Sequence, residues 1–277
     1  MIAVRPLPPR AVVVGKGRLG RALAECLGHA GSPPAVFAGR EGRAHPGEIV
    51  LAARKAGPDV FLLLAVRDDA LAGLAGALAE VAAGLPAGAV ALHHSGAHDT
   101  EVLAPLAGTG LATGSCHPLQ TFTGSPGDAA RFPGITFAID GSGPGLAAAR
   151  SLALALGGRP IVVTSGHRPL YHLAASLGAN GLTGLVAASR DALVGAGLAP
   201  EDALEALAPL LRSALEEALR LGPEASLTGP VARGDEATLE RHRRTLLAWD
   251  ARRVALLEAL LREQRRLVPL GPGGAEC

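Results

Sequence analysis

The chain has 277 residues, room for one large or two ordinary domains with a sizeable core, which excludes a small scaffold stapled by disulfides or metal. Its 26 Lys and Arg balance 25 Asp and Glu, so the net charge of +1 offers no basic field to recruit nucleic acid or an anionic membrane. Seven aromatics against 37 Gly and an apolar fraction of 48% mean a core of Ala, Leu and Val, unsuited to stacking bases.

Taken in order, the first half alternates short β-rich runs with Ala/Leu-rich helical runs, the pattern of an α/β domain with a parallel sheet. Strands are predicted at 11–14, 35–38, 60–66, 89–93, 135–139 and 160–163. After the first strand Leu19, Leu23, Cys26 and Leu27 recur at helical spacing, which gives a crossover helix a core-facing stripe and completes a βαβ unit. The uncharged run 173–188 is too short to span a membrane and reads as a buried helix. Beyond Thr164 three long helices are predicted, over 168–194, 200–222 and 236–267, with Pro200 in a favourable first turn and Asp235 as N-cap of the third. Leu204, Leu207, Leu211, Leu215 and Leu219 form the apolar stripe of the second, with Pro209 inside it. Leu239, Leu246, Trp249, Leu256 and Leu260 form that of the third. The expected organisation is an N-terminal Rossmann-like parallel-sheet domain over 1–165 and an all-α domain over 166–277. Three cysteines, Cys26, Cys116 and Cys277, odd in number and without metal-ligand or paired spacing, and an N-terminus with Arg5 and three prolines in place of an apolar signal core point to a cytoplasmic protein.

The strongest local signal is Gly15-Lys16-Gly17-Arg18-Leu19-Gly20, a G-x-G-x-x-G sequence between a predicted strand and a predicted helix. Gly15 permits the tight turn, Gly17 lets backbone N–H groups approach a pyrophosphate, and Gly20 lets helix and strand pack closely. A Gly-rich turn with no ligand is the plainer reading. Where NAD-binding versions carry an acid after the second strand, this chain has Arg40, placed to meet a 2′-phosphate, so NADP(H) is preferred over NAD(H). Arg40 and Arg43 could instead be solvated loop cations, and Glu41 could serve an NAD ribose. Ligands of parallel sheets bind outside the C-terminal strand ends, which draws in Val66 and Arg67 after the third strand and Ser95 and Gly96 after the fourth. The loop holding His117 lines the same cleft. His93, His94, His98, Cys116 and His117 invite a zinc reading, but their spacing fits no usual ligand set, and no metal is expected. On the first long helix His172, Ser176 and Asn180 fall at i, i+4 and i+8, a polar stripe that either faces a substrate or bonds a neighbouring helix.

These blocks, namely the glycine turn, His94-Ser95-Gly96-Ala97, His117-Pro118-Leu119-Gln120-Thr121-Phe122, Tyr171-His172 with Asn180, and residues 227–235, together resemble the family joining a Rossmann-like domain to domain-of-unknown-function 2520. That family is similar to the 6-phosphogluconate dehydrogenase-like superfamily, with ketopantoate reductase and pyrroline-5-carboxylate reductase. The resemblance implies an NADP(H)-dependent oxidoreductase of small carbonyl or imine substrates, dimeric through its helical domain. It also marks a departure: β-hydroxyacid dehydrogenases and ketopantoate reductase use a catalytic Lys on the first interdomain helix, and this chain has no Lys after Lys55. The expectation is therefore that His172 or His117 handles the proton, that Asn180 and Ser95 orient the substrate, and that Arg233 pairs with a substrate carboxylate. A protein that binds NADP(H) as a sensor or assembly partner, without chemistry, is the reading from another class.

Overall fold

The computed structural model describes residues 9–37 and 45–268. They form two compact units, residues 1–180 and 181–277.

The first unit is built on a seven-stranded sheet: β1 (Ala11–Val14), β2 (Ala35–Phe37), β3 (Phe61–Leu64), β4 (Val90–His93), β5 (Ala112–Pro118), β6 (Thr136–Gly141) and β7 (Arg159–Val162). The strand order is β2-β1-β3-β4-β5-β6-β7, parallel throughout except that β5 and β6 run antiparallel. Helices α1 (Arg18–His29), α2 (Pro46–Ala56), α3 (Asp68–Ala79), the short α4 (Ala104–Ala107) and α5 (Gly143–Ala155) join the strands. Because side chains alternate across a strand, Val13 of β1 enters one core with Leu23, Phe132 and Phe137. Val12 and Val14 enter the other with Ile49, Leu62 and Leu71. Burial on both faces explains why β1 and β3 are unbroken apolar runs.

Six strands match the predicted ones to within a few residues; residue 38, at the end of the second predicted strand, lies outside the described residues. The seventh, β5, was expected as a loop. Its Gly114 and Pro118 suppress a strand signal, yet Gly114 is what the pairing needs: a Cβ there would stand 2.8 Å from the Gly145 carbonyl oxygen. The β5–β6 step is the antiparallel one in the otherwise parallel sheet that was expected.

After β7 the structure is helical: α6 (Arg168–Ser176), a π turn (Leu177–Gly181), α7 (Leu182–Gly195), α8 (Pro200–Leu221), the short α9 (Pro223–Ser226) and α10 (Gly229–Arg233), α11 (Glu236–Asp250) and α12 (Val254–Leu267). The predicted first and third long helices are thus each interrupted, the first by the π turn and the third by a 3₁₀ turn at Ala251–Arg253. Asp235 caps α11 as expected, its Oδ1 accepting from the Thr238 N–H at 3.0 Å. The apolar stripes depart from expectation. Leu204, Leu215, Leu219, Trp249 and Leu256 are exposed, and so are Leu173, Leu177 and Leu182 of the run expected to be buried. Periodicity marks a face that is apolar, not the body that covers it. Among the described residues no helix is long and apolar enough to cross a membrane.

Candidate functional site

The glycine turn sits where the strand order reverses, between β1 and β3, the usual crevice of an open α/β sheet. Gly15 has φ of +129°, and a Cβ there would lie 2.1 Å from the Ala65 carbonyl oxygen; a Cβ on Gly20 would lie 1.9 Å from that of Gly15. Both positions are closed to any other residue. At Gly17 the space is open, and this N-cap of α1 receives no side-chain bond, so the first N–H groups of the helix stay available to an anion. Lys16 and Arg18 are exposed at this mouth, while Leu19 packs on the core. After β3, Val66 is half-buried and Arg67 is held by Asp69 at 2.6 Å. Arg40 lies outside the described residues.

Beyond the C-terminal ends of β4 and β5 a second set of side chains converges. Ser95 spends its hydroxyl oxygen on the loop, accepting the N–H groups of Ala97 at 3.2 Å and His98 at 3.1 Å, which turns the chain sharply after the strand. Gly96 follows; a Cβ there would meet His117 Nε2 and His172 Cδ2, each at 2.8 Å, so the missing side chain is what lets both rings approach. His94 donates from Nδ1 to the Cys116 carbonyl oxygen at 2.6 Å, the only direction a carbonyl allows, and its Nε2 is buried without a partner. Nδ1 of His117 lies 2.8 Å from the Tyr171 hydroxyl.

A single cation governs this cluster. Arg168, at the start of α6, is wholly buried: Nε donates to the Val163 carbonyl at 3.2 Å, Nη1 to that of Ser95 at 3.4 Å, and Nη2 has no partner. Among the described residues no carboxylate lies within ion-pair distance of it. Burial, followed by the charge of Arg168, holds His93 and His117 neutral, each lowered to about 3. Burial lowers His94 to about 4, and pushes the Tyr171 phenol up to about 12 against the opposing pull of Arg168. Burial likewise pushes the Cys116 thiol up, so it is no nucleophile.

His117, Gln120, Tyr171, His172, Ser176 and Asn180 line a cavity of about 580 Å³. His172 and Asn180 are exposed to it, and Asn180 donates to Ser176 Oγ at 3.3 Å. The π turn breaks strict helical spacing before Asn180 yet leaves it on the same cavity as His172, the kind of interruption that accompanies functional positions. Of the residues singled out from sequence, His117, His172, Asn180, Ser95 and Gly96 therefore come together in one unit. Arg233 lies in the other, exposed at the end of α10. Sequence reasoning assigned no role to Arg168, which carries no motif, or to Tyr171, whose one available signal is that it is the chain's single tyrosine. Among the described residues no three His, Cys, Asp or Glu side chains are placed to hold a metal.

A glycine turn at the switch point of a mostly parallel sheet, followed by an all-helical region, defines an α/β protein of Rossmann-like architecture. Residues 135–263 of the chain match the family described as a domain of unknown function, DUF2520. No curated protein matches the chain significantly. Among solved structures it is similar to a proposed NADP oxidoreductase from Bacteroides fragilis (24% identity, TM-score 0.73, covering 94% of this chain and 98% of that one). A Thermotoga maritima protein is also similar (24%, TM-score 0.68, covering 93% and 97%). So is a reductive aminase from Aspergillus terreus in complex with NADPH (20%, TM-score 0.62, covering 97% and 96%). At these identities the likeness is one of fold.

Proposed function

We propose that the chain is an NADP(H)-dependent oxidoreductase acting on a small carbonyl or imine compound. The observation that carries this reading is the glycine cradle: two positions closed to any Cβ, Gly15 and Gly20, beside an open helix N-terminus at Gly17, on the strand-order reversal. That is the shape and polarity a pyrophosphate requires. Lys16, Arg18, Val66, Arg67, Ser95 and Gly96 are the neighbouring contacts, with Arg40 for the 2′-phosphate. The reductive aminase with NADPH bound and the proposed NADP oxidoreductase share the fold and support the same cofactor.

When bound, the nicotinamide supplies or accepts a hydride at the substrate's electrophilic carbon. The protein's own part is to hold the substrate in the cavity of His117, Tyr171, His172 and Asn180 and to move the accompanying proton. Asn180 and His172 orient the polar atom being reduced. A 2-oxo acid of the ketopantoate type is the finer candidate substrate. A homodimer through the helical region accounts for Leu170, Leu173 and Leu177, spaced along α6 and the π turn and all more than half exposed.

Titration with NADPH and NADH, followed by reduced-nicotinamide fluorescence, tests the reading. Wild type binds NADPH more tightly than NADH, Gly20→Val abolishes binding of both, and Arg40→Ala weakens NADPH roughly tenfold while sparing NADH. Absence of binding to either nucleotide refutes it.

A further inference from the structure

The sequence expectation gives the proton to His172 or His117; the geometry bears on that choice, and the inference here rests on the oxidoreductase reading. Tyr171 places its hydroxyl 2.8 Å from His117 Nδ1, the two rings meet edge to face with centroids 5.5 Å apart, and both line the cavity. Three residues before it in the same helix lies Arg168, buried, with Nη2 unpartnered and with Asp140 and Asp99 acting on it from beyond ion-pair distance. A buried guanidinium with no direct ion pair and an unfilled donor is costly, and the cost is reduced where a further negative charge arises next to it. Facing Tyr171 are His117 and Cys116 from β5 and Arg168 from α6. Of these neighbours only Arg168 is a fixed charge, and the oxygen able to become negative is that of Tyr171 itself.

We infer that Tyr171 gives the proton to the substrate oxygen or nitrogen, that His117 replaces it, and that Arg168 is a positioning residue whose charge steadies the transient phenolate. As the substrate carbon is reduced by the nicotinamide, the electron pair released onto oxygen or nitrogen forms a bond to the Tyr171 hydroxyl proton. The former O–H pair stays on the phenolate. That oxygen takes the Nδ1 proton of His117, and Nε2 takes one from water, so the imidazole ends neutral in its other tautomer. The net change is one proton consumed from solvent per substrate reduced. His117 cannot serve as an outright acid, because burial and Arg168 hold it neutral down to about pH 3. His172 makes no hydrogen bond among the described residues and is exposed, a place for orienting substrate.

Because the chain has one tyrosine, growth on fluorotyrosine changes position 171 alone. Wild type, the fluorotyrosine protein, Tyr171→Phe, His172→Ala, Arg168→Met and Arg168→Lys are compared for NADPH binding and for turnover of a panel of cyclic imines, ketones and 2-oxo acids. Tyr171→Phe lowers kcat roughly a hundredfold or more with NADPH affinity unchanged. Fluorination moves the alkaline limb of the kcat profile to lower pH, and Arg168→Met moves it to higher pH, with Arg168→Lys restoring it. The single fluorine resonance titrates in step with that limb, a readout that needs no turnover and that a merely structural Arg168 would not move. An alkaline limb unmoved by fluorination, or full kcat in Tyr171→Phe alongside its loss in His172→Ala, overturns the inference and leaves the oxidoreductase reading standing. NADPH binding by wild type with no turnover on any member of the panel overturns both.

Discussion

The sheet and the helices that follow it solve the burial of apolar surface differently. In the first unit both faces of the central strands are covered by the chain itself: Val12, Leu62 and Leu71 on one side and Val13, Leu92, Phe132 and Phe137 on the other are almost wholly inaccessible, while Ile161 and Val162 of the edge strand β7 are exposed. In the second unit few apolar side chains are buried, chiefly Ala203, Leu207, Val231, Leu239 and Leu261, while Leu210, Leu219 and Leu247 face solvent. Polar contacts add to that small core. Arg253 binds Asp191 at 2.6 Å, reaches the Ala188 carbonyl at 3.2 Å and lies over the Trp249 ring at 5.2 Å. The sheet thus buries its central apolar strands within the single chain, whereas the helices from α6 onward carry apolar side chains that the described residues leave uncovered.

Core substitutions should break that contrast most strongly. Phe137→Ala, deep in the sheet core, should cost about 3–5 kcal/mol in denaturant titration. A loss below 1 kcal/mol would mean that the sheet is less tightly packed than its burial implies.

Acid should act next, and selectively on the first unit. His94 is about 6.5 when unfolded but is lowered to about 4 in the folded chain, so the unfolded state binds the extra proton. Stability present above pH 6.5 is therefore lost as pH falls toward 4, by roughly 3 kcal/mol from this one group. His94→Asn keeps a donor for the Cys116 carbonyl without a titrating ring and should flatten this part of the stability–pH curve. A curve of unchanged slope would remove His94 as the cause.

The smallest effect on folding should come from the exposed stripe. Leu219 is 79% exposed, and Leu219→Ser should change the stability of the dilute chain by less than about 0.5 kcal/mol. The same substitution should move the monomer–dimer midpoint in sedimentation to higher protein concentration. A wild type that stays monomeric at high concentration would refute the dimer and leave the leucines without an explanation in self-association.

Much of the site was legible because its signals are local. Gly15, Gly17 and Gly20 state a turn, an approach and a packing contact within six residues, and Asp235 states a cap within four. The element order followed from alternation of apolar runs with helical stripes. β5 was not legible, since its pairing partners β4 and β6 are distant in sequence and its own residues, Ala112-Thr113-Gly114-Ser115-Cys116-His117-Pro118, lack the β-branched pattern of a strand.

The sequence by itself determined an α/β architecture, a dinucleotide-type turn, the positions of the long helices and a short set of polar residues able to do chemistry, because each depends on spacing along one segment. Only the tertiary structure decided that β5 and β6 pair antiparallel, that Gly96 makes room for the rings of His117 and His172, and that Tyr171 meets His117 across 54 residues of chain. It alone decided that Arg168 is buried beside His117 and Tyr171, so that burial first and its charge second hold His117 neutral. Burial and pairwise charge are properties of what surrounds a residue, and that is fixed by contacts between segments, not by the order of residues within one.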